Sequence, residues 1–159
     1  MSRFVHLHVH TQYSILDGAS NIKKLFEKAK ADGQEALAIT DHGNMFGVKE
    51  FLKEANKAGV KPIVGCEVYV AQRSRLDKQG KADQRGNHLI ILAKNKEGYH
   101  NLAKLVSLGY IEGFYSRPRI DKEILFQYKE GLIVSSACIG GEIPRLIRMG
   151  QMEEAEKAV

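Results

Sequence analysis

Two kinds of hydrophobic pattern alternate along this chain of 159 residues. Amphipathic stretches with a helical period separate short apolar runs rich in β-branched residues, such as Ala36 to Thr40 and Pro62 to Val70. This alternation is typical of α/β proteins, in which helices cover a sheet. The length suits one domain, and an apolar content of 43% is enough for a buried core. We therefore expect the α/β class, as a barrel or an open sheet.

The pattern also predicts where the elements lie. Strands are expected over roughly 3–10, 36–40, 62–70, 89–93 and 131–138. Helices are expected over 20–30 with Ser20 as N-cap, over 46–58, 97–108 and 121–128 with Asp121 as N-cap, and from Gly140 to the final residue. The polar segment 73–87 is predicted to be a mobile loop. No strand follows the last helical region to complete a sheet, so we expect a fragment.

Composition excludes some classes of protein and leaves others open. No run is apolar and long enough to span a membrane, and two cysteines do not suggest a disulfide framework, which favours a cytoplasmic protein. The net charge of +5 permits contact with a polyanion. The basic residues that cluster are Arg73, Arg75, Lys78, Lys81 and Arg85. They form either a solvated surface or a nucleic-acid-binding patch.

The first predicted strand carries histidine at every second position, in His6, His8 and His10. Side chains alternate across a strand, so these imidazoles share one face. Neutral imidazole is a common metal ligand, and two that are adjacent on one face can hold one ion. His6 lies deeper along the strand, and we interpret it as structural.

Further ligand-type residues recur where predicted strands meet loops. They are Asp17, Asp41, His42, Glu67 and Cys138. The carboxyl ends of strands in barrels and parallel sheets meet at one edge, where active sites form. Imidazole with carboxylate suits zinc or manganese, whereas a thiolate ligand favours zinc or iron. The pattern therefore predicts a metal site, in which Glu67 could bridge two ions and promote phosphoryl displacement.

Four residues have other interpretations. Asp41 precedes a turn, so it is expected to form the turn or orient a neighbouring histidine rather than bind metal. Cys66 precedes Glu67 on the same predicted strand, so its side chain faces the opposite side of the sheet and is expected to be buried. His100 is expected to be exposed on a helix. His88 precedes its apolar run, so a parallel strand would place it at the wrong edge. Either that strand is antiparallel, or segment 73–87 carries His88 to the site.

Five blocks of the chain together resemble the polymerase and histidinol phosphatase (PHP) family. The first two blocks are "FVHLHVHTQYSILDG" and "LAITDHGN". The later three are "GVKPIVGCEVYVA", "NHLIILAKNKEGYHNL" and "GLIVSSACIGGEI", and these resemble the PHP domains that begin bacterial replicative DNA polymerase subunits. The resemblance covers nearly the whole chain.

The resemblance implies a distorted (β/α)7 barrel with up to three metal ions at its rim. Residues 1–159 would be the N-terminal part of that domain in a much longer polymerase chain, without its last strands. The implied ligands are His8, His10 and Glu67 for one ion, Glu67, His88 and Cys138 for a second, and Asp17 and His42 for a third. The last motif of the family, Asp-x-His, has no match here, since the last histidine is His100. Two of the three sites would therefore each lack a ligand, and the piece would hold fewer ions.

For function, the resemblance implies a DNA-directed DNA polymerase with possible 3′–5′ exonuclease or related phosphoesterase activity in the PHP domain. The metal ligands are the only catalytic groups assigned. The expected cofactors are zinc or manganese in the domain and magnesium at the polymerase site, and the expected partners are DNA and other replicase subunits. An alternative is a scaffold domain that stabilises the polymerase without catalysis of its own. The 159-residue piece is expected to have little or no hydrolytic activity.

Overall fold

The computed structural model describes residues 4–159, in which helices and strands alternate. The strands are β1 (Ala36–Ile39), β2 (Lys61–Ala71), β3 (Gly86–Ala93), β4 (Arg119–Ile120) and β5 (Leu132–Ser136). The helices are α1 (Ile22–Ala31), α2 (Val48–Ala58), α3 (Gly80–Gln84), α4 (Lys96–Ile111), α5 (Lys122–Gln127), α6 (Glu142–Arg148) and α7 (Met152–Lys157). The predicted α/β class is confirmed.

The sheet has mixed strand directions, with β2 at its centre. The order is β1-β2-β3-β5, and β4 also pairs with β2. β1 and β4 run parallel to β2, whereas β3 is antiparallel to both β2 and β5. The start of β3 therefore lies at the carboxyl end of β2, where His88 is paired with Tyr69. The antiparallel direction, one of the two alternatives left open for His88, brings it to the predicted edge.

The histidine-rich segment is extended, but it is not a regular strand. Position 3 of the predicted strand lies outside the described residues, and residues 4–10 have no strand assignment. The segment follows β1 through two backbone hydrogen bonds, from Ala38 N–H to the His6 carbonyl (3.0 Å) and from Thr40 N–H to the Val9 carbonyl (2.9 Å). Thr40 Oγ1 also accepts from Val9 N–H at 2.7 Å. The prediction of a strand here is wrong because this pairing is too sparse for a ladder.

The prediction of a mobile loop over 73–87 is also wrong. The segment contains α3 and the start of β3, and it is held by the fully buried side chain of Arg119. Its guanidinium donates to the carbonyls of Arg75 (2.9 Å), Asp77 (2.9 Å), Asp83 (2.5 Å) and Gly113 (3.0 Å). Buried carbonyls need such partners, so one arginine fixes the path of this polar segment.

Most helix boundaries shift by a few residues for local reasons. α1 is capped by Asn21 rather than Ser20, because the Asn21 side chain accepts from Lys24 N–H at 3.2 Å. α2 begins at Val48 rather than at residue 46, because the Asn44 side chain accepts from Phe46 N–H at 3.1 Å and forms a turn first. Asp121 caps α5 as predicted, through a hydrogen bond from Ile124 N–H. The predicted last helical region is divided into α6 and α7.

Two hydrophobic clusters pack helices against the sheet. One cluster joins α1 and α2 to β1, and its Phe26 and Phe51 rings lie 4.7 Å apart. The other joins α4 and α5 to β2 and β3 through Val68, Ile91 and Leu102. β5 is less protected, with Ile133 and Val134 about half exposed. No helix among residues 4–159 has the length and hydrophobicity needed to cross a bilayer.

Candidate metal centre

Four imidazoles converge on the carboxylate of Glu67, which lies beyond the end of β1 and near the start of β3. Glu67 is fully buried on β2. Its Oε2 contacts His8 Nε2 and lies 2.9 Å from His10 Nε2. Its Oε1 contacts His88 Nδ1 and lies 3.3 Å from His42 Nδ1. One carboxylate is thus shared by side chains from three separate parts of the chain.

The backbone around Glu67 fixes this arrangement. The turn after β1 continues beside β2 as an isolated parallel bridge between His42 and Glu67. Glu67 N–H donates to the Asp41 carbonyl at 3.1 Å, and Gly43 N–H donates to the Glu67 carbonyl at 2.8 Å. Backbone hydrogen bonds of the neighbouring residues therefore hold His42 next to Glu67, whether or not the imidazole ring of His42 makes any contact.

Asp17 extends the cluster on the side of His42. Its Oδ2 lies 3.0 Å from His42 Nε2 and 3.4 Å from His10 Nδ1. The rings of His10 and His42 are 3.9 Å apart between centroids. The loop after the extended segment thus brings Asp17 to the site, as its sequence position predicted.

Cys138 lies at the opposite side of the cluster, beside His88. Its Sγ is 3.4 Å from His88 Nδ1 and accepts from Gly140 N–H at 3.4 Å. His88 N–H in turn donates to the Gly140 carbonyl at 3.0 Å. The structure therefore brings Cys138 next to a predicted ligand, although none of the three groups of donors that lie within 4.8 Å of one another includes it.

The donors present fit a divalent cation. Their ligand atoms form three overlapping groups, each within 4.8 Å: His8 with His10 and Glu67, His10 with Asp17 and His42, and His42 with Glu67 and His88. Glu67 Oε1 and His42 Nδ1 are buried, yet neither has a hydrogen bond of acceptable geometry in the described residues. Unpaired buried polar atoms are costly, and a cation between them would satisfy both. Imidazole and carboxylate are ligands that zinc and manganese accept.

The charges of the cluster favour cation binding. Burial alone would raise the pKa of Glu67, but its contacts with His10, His42 and His88 outweigh burial and hold that pKa far below its usual range. The adjacent Glu67 carboxylate raises the pKa of His10 and of His42, although burial opposes both shifts. Glu67 is therefore anionic at neutral pH, and a metal ion that binds here displaces protons from imidazoles.

Asp41 supports the site without belonging to the donor groups. Its buried carboxylate accepts from Thr11 N–H (2.6 Å), Thr11 Oγ1 (2.7 Å) and Ser14 Oγ (2.8 Å). The Ser14 hydroxyl accepts from His42 N–H at 3.1 Å. Asp41 thus anchors the loop that carries Asp17, and it orients His42 through its backbone rather than through its ring.

Tyr69 and Arg117 were missed by the sequence interpretation. The Tyr69 ring stacks at 6.1 Å on His42 and meets His88 edge-on at 5.2 Å. Arg117 donates to the Tyr69 hydroxyl at 2.7 Å. Tyr69 could have been found, because it lies two residues after Glu67 and so shares its face of β2. Nothing in the sequence pattern links Arg117 to this edge.

Three other candidates lie outside the donor cluster. His6 is exposed and contacts Phe4 at 4.7 Å between ring centroids. Cys66 is fully buried as predicted, and burial raises the pKa of its thiol. His100 is exposed beside Tyr99, also as predicted.

The predicted basic patch is partly neutralised. Arg73 pairs with the buried carboxylate of Asp83 at 2.7 Å. Arg75 is largely buried and pairs with Glu112 (2.7 Å) and Asp121 (3.1 Å). Of the five basic residues, Lys78, Lys81 and Arg85 have exposed side chains that are in none of the ion pairs of the described residues. The structure thus weakens the interpretation of this segment as a nucleic-acid-binding surface.

Residues 6–159 match the family model described as the PHP domain. The chain belongs to the PHP domain family. The PHP domain described here is similar to DNA polymerase III subunit alpha of Borreliella burgdorferi, with 55% identity over 99% of this chain. It is also similar to the same subunit of Treponema pallidum (54% over 97%) and of Thermus aquaticus (51% over 97%). The chain spans only about 14% of the length of these relatives.

Solved structures show a weaker likeness. A protein from Bifidobacterium adolescentis, provisionally described as a metal-dependent phosphoesterase, shares 19% identity with a TM-score of 0.45, over 99% of this chain and 54% of that chain. This value is too low to bear on function. The sequence matches identify the family, and the mixed sheet is consistent with the partial barrel expected of it. Family membership and the clustered donors together suggest binding of divalent metal.

Proposed function

We propose that this PHP domain forms a divalent metal centre that hydrolyses phosphodiester bonds, as a 3′–5′ exonuclease within a bacterial replicative DNA polymerase. The observation that carries the proposal is the convergence of four imidazoles on the buried, anionic Glu67. Closely spaced divalent ions promote displacement at a phosphodiester by stabilising both the attacking and the leaving oxygen.

The proposed ligands form three groups around zinc or manganese. They are His8, His10 and Glu67, then Glu67, His88 and Cys138, then Asp17 and His42. Because the 159 residues contain no match to the Asp-x-His motif, we expect this chain to hold fewer than three ions.

Different side chains of the proposed metal centre have different roles. Bound divalent ions would supply Lewis acidity, activating water and neutralising charge on the phosphoryl oxygens. Glu67 provides the negative charge at the middle of the cluster and stays ionised because its imidazole neighbours stabilise the anion. Asp41 keeps the Asp17 loop and the His42 backbone in place, so that the donors need little rearrangement.

The similarity to polymerase subunits supports the rest of the proposal. The chain would be the N-terminal part of a much longer DNA-directed DNA polymerase that acts in the bacterial cytoplasm. Its partners would be DNA and other replicase subunits, and its polymerase site, outside this chain, would use magnesium.

A purely structural role for the domain is not favoured. The donor side chains line an edge of the sheet, and neither main hydrophobic cluster includes any of the histidines. In a scaffold, a metal bound by these donors would only stabilise the fold, so loss of the ligands should lower polymerase activity and melting temperature together.

The proposal is tested in the full-length polymerase with a His8→Ala/His10→Ala variant. We expect 3′–5′ exonuclease activity on a mispaired primer to fall about 100-fold or more, because two ligands of one ion are lost. Polymerase activity and the melting temperature of the polymerase should stay close to those of the wild type. His100→Ala, which removes an exposed imidazole, is the matched control.

Exonuclease activity that is unchanged in the double variant and insensitive to chelators would refute the proposal. Joint loss of polymerase activity and melting temperature, with no selective effect on the exonuclease, would instead support the scaffold.

A further inference from the structure

Arg117 lies one aromatic ring away from the histidine cluster. Its guanidinium donates to the Tyr69 hydroxyl at 2.7 Å, and its Cζ lies 4.8 Å from the centre of the Tyr69 ring. The same ring contacts His42 and His88. Tyr69 thus acts as a spacer that holds a permanent positive charge at the border of the metal centre.

The loop that carries Arg117 is fitted against the turn that carries His42. Gly43 follows His42 with a φ of 61°, and a Cβ there would come within 2.9 Å of Pro118 and 3.0 Å of Tyr69. The absence of a side chain at Gly43 therefore lets the Arg117 loop approach the cluster closely.

The backbone next to Arg117 is strained. Ser116 has a φ of 63°, the sole positive φ of a non-glycine residue among residues 4–159. Tyr115 N–H donates to the Arg117 carbonyl at 3.1 Å and closes this tight turn. Strain of this kind persists where the surrounding structure enforces it, and it is concentrated at functional sites.

Arg117 differs from the neighbouring arginines because most of its N–H donors have no partner among the described residues. Arg73 and Arg75 pair with carboxylates, and the guanidinium of Arg119 donates to four backbone carbonyls. Within the described part of the chain, Arg117 pairs with no carboxylate, and one of its nitrogens donates to Tyr69. Arg117 is exposed, and its other nitrogens hydrogen-bond no acceptor among residues 4–159, so its planar fork is free to match the oxygens of a phosphate group.

We propose that Arg117, positioned by Tyr69, binds a phosphate group of the substrate at the border of the metal centre. The inference rests on the proposed function for the role of that phosphate, which belongs to the phosphodiester being hydrolysed or to its neighbour. Binding of an anion by Arg117 does not itself require hydrolysis.

The test measures binding of inorganic phosphate to the protein by isothermal titration calorimetry, in zinc-loaded and in chelator-treated samples. Arg117→Ala should raise the dissociation constant about tenfold or more, because a charge-assisted bidentate contact is lost. Arg117→Lys should recover part of the affinity, since a lysine keeps the charge but not the fork. Arg85→Ala, which removes an exposed arginine of the basic segment, should leave it unchanged.

Elemental analysis of each variant separates this inference from the proposed function. Equal phosphate affinity of the wild type and Arg117→Ala in both samples would overturn the inference, as would an equal loss in Arg85→Ala. A wild type that binds no zinc, yet still loses phosphate affinity on Arg117→Ala in the chelator-treated sample, would support the inference while contradicting the proposed function.

Discussion

Replacing Glu67 by glutamine is expected to lower the zinc affinity of this protein by about 100-fold or more, a larger effect than loss of a supporting hydrogen bond. The substitution preserves the size of the side chain but removes the negative charge that His8, His10, His42 and His88 share. An amide oxygen is a weaker metal ligand than a carboxylate oxygen. A neutral amide also has no negative charge with which to hold two cations together.

The affinity is measured by competition with a chromophoric chelator, and the bound metal by elemental analysis. Glu27→Gln is the matched control, because Glu27 is exposed on α1 and 3.8 Å from Lys23. Zinc binding by Glu67→Gln that equals that of the control would show that the cluster does not hold the metal.

Replacing Asp41 by alanine is expected to destabilise the fold by about 3 kcal/mol or more. The change leaves three donors of Thr11 and Ser14 without their acceptor in a fully buried region. For a chain of this length the loss corresponds to a fall in melting temperature of about 10 °C. Zinc affinity should fall as well, because the loop that carries Asp17 loses its anchor.

Thermal unfolding followed by circular dichroism, with and without zinc, measures both consequences. Asp32→Ala is the control, since Asp32 is exposed at the end of α1 and its pair with Lys28 is on the surface; such a change costs about 0.5 kcal/mol or less. If Asp41→Ala melts within a degree or two of this control, the buried carboxylate is not the anchor of the loop.

Much of the fold follows from local patterns in the sequence. The apolar run from Pro62 to Val70 became the central strand, and the helices predicted over 20–30 and 46–58 form as α1 and α2 and pack against β1. Patterns of this kind extend over a few residues, so they can be recognised in the sequence without knowledge of the tertiary structure.

The errors occur where distant residues decide the local structure. Segment 73–87 is polar and rich in glycine and lysine, yet Arg119 holds it in place from more than thirty residues away. Residues 4–10 have the alternation of a strand, but β1 supplies too few backbone partners for them. The direction of β3 could not be derived either, because it depends on which strand pairs with it.

In the candidate site, too, the residues at strand ends were predicted, whereas the roles that depend on distant partners were not. His8, His10, His42 and Glu67 were predicted because ligand-type residues stood where strands ended, and the structure brings them together. The role of Asp41 was predicted only as a choice between turn formation and orientation, since its partners Thr11 and Ser14 are 30 and 27 residues away. Arg117 carried no signal, because its link to the site is a single tyrosine.

Anomalous diffraction from crystals of the zinc-loaded protein, recorded above the zinc absorption edge, tests the central claim most directly. We predict at least one strong peak between Glu67 and the imidazoles of His8 and His10, which Glu67→Gln crystals should lack. A map with no peak at Glu67, or with zinc bound only at exposed His100, would contradict the metal centre and the function proposed from it.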